Sequence, residues 1–150
     1  PVPAEHNPGL VLMHSRGEFG SMHSQPPVDD IIIEVAEDFR RSTHTAFTSD
    51  VKPEQVVLDI GIGFGKTVDQ NLELIGKLDK LIADFPQFPM LVGTSRKSFI
   101  GKLLDDAPPD QRLSGSLASI AIGVWNGAKI VRVHDVRETV ETLKVVVALK

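Results

Sequence analysis

A chain of 150 residues with 41% hydrophobic content can bury a core of its own, which excludes a disordered or fibrous protein. A formal charge of -4 with interspersed signs leaves no basic footprint for nucleic acid and no polybasic face for an anionic membrane, so the expected partners are small molecules or proteins. No cysteine is present, which excludes a disulfide scaffold and a thiolate metal cluster. No apolar run approaches the roughly 20 residues a spanning helix needs or reads as a signal peptide, and a cytoplasmic location is expected.

The chain opens on Pro1 in a Pro-rich stretch, PVPAEHNPG, which suggests processing, truncation or an experimental cut. Short apolar runs bounded by turn residues then predict four buried strands, over 10–13, 56–59, 90–93 and 129–133. After the first, a helix is expected from Asp29 or Asp30, with Ile33, Val35, Phe39 and Phe47 on its apolar side. After the second, T-V-D-Q is a capping-box signature at Thr67 and Gln70, and Leu72, Ile75, Leu78 and Ile82 follow at helical spacing.

The third strand leads to a brief helical turn around Phe99, Leu103 and Leu104, a break at Pro108 and Pro109, and a helix over 111–126. Leu113, Leu117, Ile120 and Val124 form its stripe, Gly115, Ala118 and Gly123 would let it lie close to a sheet, and Gly127 is a suitable stop. The fourth strand runs into D-V-R-E, a second capping box at Asp135 and Glu138, with Val136, Val140, Leu143 and Val147 along the last helix. Four strand–helix alternations predict a parallel α/β fold, either an open sheet or half of an eight-stranded barrel.

Each strand ends in polar residues: His14 and Arg16, then Asp59, then Ser95, Arg96 and Lys97, then Arg132 and His134. In parallel α/β proteins these ends share the ligand-binding face. A mostly cationic cluster with one carboxylate suits an anionic substrate carrying a polar ring. Taken singly, Arg16 and Arg96 read equally as solvated loop cations, Asp59 as a cap for the amides after it, and His14 as a packed core histidine. Arg132 and His134 are harder to set aside, because alternation turns them away from Val131 and Val133 toward an anion site.

The segment GIGFGKT fits neither a Walker loop, which needs four residues before its Gly-Lys pair, nor the G-x-G-x-x-G dinucleotide fingerprint. Its glycines are better read as a tight turn bringing backbone, Phe64 included, close to a ligand. His6, His14, His23, His44 and His134 lack metal-ligand spacing, so no metal ligand is expected from these residues. Ser95 and Ser98 lack a nucleophile-elbow context.

Taken in order, LVLMHSRG, VVLDIGIGFGKT, LVGTSRKSFIG and IVRVHDV resemble the second half of the bacterial dihydropteroate synthase family from Leu10 onward. The resemblance implies strands 5–8, with their helices, of a TIM (β/α)8 barrel. It also implies condensation of 6-hydroxymethyl-7,8-dihydropterin diphosphate with 4-aminobenzoate to give 7,8-dihydropteroate and diphosphate. Under it Asp59 matches the carboxylate that reads the pterin, Lys97 the lysine near the reacting centre, and Met13, Phe64 and Gly93 the pocket lining. Arg132 and His134 match the diphosphate pair, and Ser95 and Arg96 border the aminobenzoate site, where sulfonamides compete. Lys97, Arg132 and His134 are thereby the implied catalytic residues.

Magnesium is implied as cofactor, with its ligand in the family's first half, and a homodimer is a further expectation. Ile60 departs from the family's usual proline after the aspartate. Because the resemblance begins at the fifth strand, residues 1–150 are expected to form a single partial barrel domain, inactive alone. The alternatives are a noncatalytic pterin-binding module and a folate-dependent methyltransferase of the same barrel type.

Overall fold

A computed structural model describes residues 8–17, 20–22 and 25–150; His6, His23 and most of the Pro-rich opening lie outside them. Strand β1 (Leu10–Met13) is followed by helix α1 (Ile31–Thr48), and a 3-10 turn at Pro53–Gln55 leads into β2 (Val56–Asp59). Helices α2 (Val68–Gly76) and α3 (Leu78–Asp84) precede β3 (Met90–Val92). Then come α4 (Ser98–Leu103), a 3-10 turn at Pro109–Gln111, α5 (Leu113–Trp125), β4 (Ile130–Val131) and α6 (Val136–Leu149).

The four strands are parallel and adjacent in chain order, β1-β2-β3-β4. A doubly wound sheet reverses its order at a switch point; this one adds each strand on the same side, which is barrel order. Register aligns Leu12, Leu58 and Met90 in one row and Met13, Asp59, Leu91 and Ile130 in another, and alternation sends the two rows to opposite faces.

On the first face Val56, Leu58, Met90 and Val92 are fully buried with Val35, Phe39, Leu74, Leu78 and Leu81 of the helices. On the second, Val11 and Met13 are 50% and 41% exposed, as the interior of a barrel would be with half its wall in place. The fold is half of a (β/α)8 barrel, and this decides between the two arrangements the sequence left open.

Local chemistry accounts for most boundaries. Asp30 Oδ1 caps α1 by accepting the Ile32 and Ile33 amides at 2.9 and 3.0 Å. The Thr67–Gln70 capping box forms as expected, with both reciprocal bonds present.

Several expectations need correction. Ile33 is 56% exposed, because Ile31, Val35 and Phe39, each four residues apart, define the buried stripe and Ile33 lies two positions off it; Phe47 is also partly exposed. The helix expected over 67–82 breaks at Lys77 (φ -113°, ψ 25°); Ile75 and Leu78 are buried as expected, but Leu72 is exposed and Leu74 and Leu81 share the burial. The helix expected from 111 starts at Leu113, because Pro109–Gln111 forms a separate turn. Gly123 does meet the sheet, where an added Cβ would sit 3.5 Å from Val92, but Gly115 packs against Ile100 of α4 instead, and Ala118 is exposed. Asp135 makes no capping bond, since its carboxylate is taken by Arg96, and Val136, Val140 and Val147 are exposed. Strand β4 is shorter than expected, although Lys129 N and Arg132 N still bond to Met90 O and Val92 O at 3.0 and 3.1 Å.

Candidate functional site

The inner sheet face ends, at its carboxyl edge, in Met13 beside Asp59. Asp59 Oδ1 accepts the Gly61 amide at 2.8 Å, so the capping role considered for it is real. Oδ2 takes no hydrogen bond from the described residues. Burial pushes the carboxyl up from its ordinary value, against the Gly61 amide and the nearby charges of Lys97, Lys66 and Arg132, which pull it down. The acid is therefore desolvated yet surrounded by cations.

Beyond Asp59 the chain keeps strand alternation for two more pegs: Leu58, Ile60 and Ile62 are all fully buried. Ile60, standing where the family pattern has proline, anchors the loop in the core. Between these pegs the backbone enters the left-handed region. At Gly61 (φ 61°) an added Cβ would lie 1.8 Å from His14 O, and at Gly65 (φ 70°) it would lie 2.4 Å from Arg16 O, so only glycine fits either place. The loop's own amides are consumed internally: Gly63 N donates to Asn71 Oδ1 at 2.7 Å and Phe64 N to Gly61 O at 3.1 Å. What the loop offers a ligand is thus the Phe64 ring rather than those amides.

Lys97 lies against this loop. Its Nζ donates to Ile62 O and sits 4.7 Å from the centroid of the Phe64 ring. Burial lowers its amine to about 8, opposed by Asp59 and assisted by Arg132. Asp59, Phe64, Lys97 and Arg132 therefore form one electrostatically linked group.

A second group joins the loops after β3 and β4. Ser95 is buried, and its Oγ accepts the His134 amide at 3.2 Å and lies 3.1 Å from His134 Nδ1. Arg96, at φ 58°, is pinned through its backbone by Ser116 Oγ (2.9 Å) and Arg112 Nη1 (2.9 Å). Its guanidinium pairs with both Asp135 oxygens. Gly93 is buried beside Arg132, while Arg132 and His134 are exposed at the open edge.

His14 and Arg16, raised as strand-end candidates, turn the other way. Arg16 is buried behind the glycine loop, with Nε 3.0 Å from Glu34 Oε1 and Nη1 donating to Gly65 O at 3.1 Å. His14 is 2% exposed, and burial, with Lys66, Arg16 and Arg41, lowers it to about 3. It is neutral at pH 7, so its 3.7 Å approach to Glu34 is not an ion pair. For His14 the core reading holds; Arg16 is buried, so neither the solvated-cation reading nor the strand-end ligand reading fits it.

Sequence reasoning missed Lys66, Asn71, Arg112 and Ser116 as organisers of the site. Lys66 stands in the Gly-Lys pair whose spacing fails the Walker pattern, so no motif marks it. Asn71 carried a signal: a polar residue one turn past the Thr67 cap, where it reaches back to the loop, donating to Thr67 O at 2.7 Å.

Magnesium does not fit these residues. No group of three or more His, Asp or Glu side chains that could hold a metal occurs among the described residues, and Asp59, the pocket carboxylate, is bonded to Gly61 and flanked by cations.

Comparison with known proteins agrees with this geometry. The Synechocystis dihydropteroate synthase is 43% identical over 99% of this chain and 50% of its own length. A Yersinia pestis dihydropteroate synthase, solved as a sulfonamide drug complex, superposes with a TM-score of 0.92 at 37% identity over 97% of this chain and 52% of that one. The Thermus thermophilus enzyme in complex with 6HMPPP gives 0.90 at 38% identity, over 99% of this chain and 58% of that one. The chain spans about half the length of the curated relatives it matches, as expected of a C-terminal half. The model of the family described as pterin binding enzyme matches residues 1–134, and with the pocket group on one sheet edge this establishes that the chain belongs to the pterin binding enzyme family.

Proposed function

We propose that this chain supplies the pterin- and diphosphate-facing wall of a dihydropteroate synthase. The observation that carries the reading is Asp59 on the inner face, with one carboxylate oxygen held by Gly61 and the other without a donor among the described residues, near Lys97, Phe64 and Arg132. Asp59 Oδ2 would accept from the pterin's adjacent N–H donors. Phe64 and Met13 would line the ring, with Gly93 leaving room beside Arg132, and Lys97 would donate to the pterin near its reacting methylene.

Diphosphate leaves as the carbon–oxygen bond breaks, the arylamine lone pair forms the new carbon–nitrogen bond, and the nitrogen then gives up one proton to solvent. Arg132, together with His134, whose Nδ1 is engaged by Ser95 and whose Nε2 remains for the ligand, would meet the developing negative charge. Ser95 and Arg96 would border the aminobenzoate side. No step is assigned to magnesium, since its ligands are not among these residues.

The test is dihydropteroate formation from both substrates by the reading frame that contains these residues, alongside pterin titration of the 150-residue chain. The chain alone is expected to bind pterin without turnover, because its inner face is uncovered at Val11 and Met13. Pterin binding with no turnover in any longer frame favours a noncatalytic module, and methyl transfer from a folate favours the related methyltransferases.

A cytoplasmic homodimer completes the proposal. Exposed Leu72, Leu103, Leu104 and Ile122 flank an apolar groove between α2, α4 and α5, which a second copy could cover. Sedimentation velocity reads the mass directly. No helix among the described residues is long and apolar enough to cross a membrane.

A further inference from the structure

Lys66 belongs to no part of the function proposed above, yet it is partly buried, and no carboxylate among the described residues forms an ion pair with it. Its three ammonium protons have three backbone acceptors: Gly61 O at 2.7 Å, Phe64 O at 3.2 Å and His14 O at 3.4 Å. Two of these belong to the glycine loop and the third to the exit of β1. Withdrawing an ammonium from water without a direct ion pair is costly, even with Asp59 and Glu34 acting on it from nearby, so its placement here calls for a reason beyond filling space.

The reason lies in what the loop carries. Gly61, Gly63 and Gly65 all have left-handed backbone, so three of the five residues 61–65 are the most permissive type available. The same segment supplies the Ile62 carbonyl and the Phe64 ring that Lys97 contacts. A flexible segment that must place two contacts on one amine needs an internal tie, and the carbonyls on either side of Ile62 converge on Lys66.

We propose that Lys66 is a positioning residue: its ammonium gathers carbonyls from two loops and so sets the Ile62 carbonyl and Phe64 ring against Lys97. The inference rests on the pterin-site reading for its consequence, but not for its geometry. Asn71, Arg16, Asp59 and Lys97 hold the same loop at other points, through Gly63 N, Gly65 O, Gly61 N and Ile62 O, and Lys66 is the side chain that takes two of its carbonyls at once.

The groups facing Lys66 make the tie sensitive to protons. Burial, with Lys97 and Arg16, lowers its amine to about 7, while Asp59 and Glu34 oppose the shift. His14 is neutral throughout this range, whereas Lys97, lowered to about 8, also loses its proton within it. Loss of the Lys66 proton removes a donor and the charge that attracts the three carbonyls.

The experiment compares the wild-type chain with Lys66→Met and Lys66→Arg, using 6-hydroxymethylpterin as probe and amide hydrogen exchange as a ligand-free readout. Lys66→Met is expected to weaken pterin binding about tenfold or more and to accelerate exchange across 61–65 by a similar factor, with β2 and β3 unmoved. Lys66→Arg, which keeps the charge and donors, should restore both to within about threefold. Unchanged loop exchange in Lys66→Met, or acceleration spread evenly through the sheet, overturns the proposal. If the wild-type chain takes up no pterin, the pterin-site reading fails and the exchange comparison alone decides the role of Lys66. Should Lys66→Met not fold, a Lys97→Met variant, in which Lys66 is the loop's remaining titrating amine, is followed from pH 6 to 8.5 after correction for intrinsic exchange: protection lost in the loop alone supports the tie, and a uniform change or none overturns it.

Discussion

Arg96 lies across the carboxylate of Asp135, with Nε 3.0 Å from Oδ2 and Nη2 bonded to Oδ1, and this pair closes the loop after β3 onto the loop after β4. Each partner holds the other charged: the Arg96 bond lowers the Asp135 carboxyl, and Asp135 raises the guanidinium. The pair stands next to Lys97 on one side and His134 on the other, so its effect should be felt in the geometry of both. Asp135→Asn is expected to weaken diphosphate binding by about two- to tenfold at low ionic strength. The difference should shrink as salt rises, because the pair is solvent-accessible. Isothermal titration with inorganic diphosphate at two salt concentrations checks it. Equal affinities for variant and wild type at low salt would remove the pair from the site.

Asp59→Ala and Lys97→Ala are expected to cost pterin affinity about 10- to 100-fold each, the range for hydrogen bonds to charged groups. Arg132→Ala should leave binding of the pterin ring itself nearly unchanged and weaken the diphosphate form. Titrating each variant with the pterin alcohol and with its diphosphate separates the two roles.

Lys97 adds a pH dependence. With its amine lowered to about 8 by burial, its ammonium is lost as pH rises through that value. Pterin affinity is therefore expected to fall above pH 8, and a Lys97→Met variant should show no such fall. A wild-type profile flat to pH 9.5 would contradict the assigned contact.

His14 predicts acid sensitivity. Its folded value is depressed from 6.5 to about 3, so the unfolded chain binds the proton more readily. The stabilisation from keeping His14 neutral is complete above pH 6.5 and is lost as pH falls toward 3. The loss should reach about 2 kcal/mol by pH 5, taking roughly 1.4 kcal/mol per unit. Urea unfolding of wild type and His14→Gln at pH 7 and pH 5 tests this: the variant should lose less stability than the wild type between the two.

Gly61→Ala should destabilise the fold by about 2 to 4 kcal/mol, since the new Cβ meets a backbone oxygen that no side-chain rotation can move. Gly93→Ala, whose Cβ would lie at an ordinary 3.7 Å from Arg132 Cβ, should cost far less. Thermal melts of the two variants give the contrast.

The strands and the polar cluster at their ends were legible because both follow from local pattern: short β-branched runs, and ionisable residues directly after them. Helix faces were less so. Ile33 and Leu72 fit a helical period, but the buried side is chosen by what lies opposite, and the turn at Lys77 reset the phase between α2 and α3. Asp135 was misread for a related reason. Its sequence neighbours Val136 to Glu138 suit a capping box, whereas its partner Arg96 is 39 positions away and becomes a neighbour only when β3 pairs with β4. Lys66 was hidden because its partners are carbonyls, which leave no trace in residue identity.

The buried pegs Leu58, Ile60 and Ile62 bear on kinetics. A flap that closes over its ligand must be ordered during binding, which slows association and costs affinity. Here the wall is already cast, since every second residue from the strand into the loop is driven into the core. Pterin capture by this face should therefore proceed in one kinetic phase, its rate governed by encounter and by the surrounding cations, with no slower rearrangement following it.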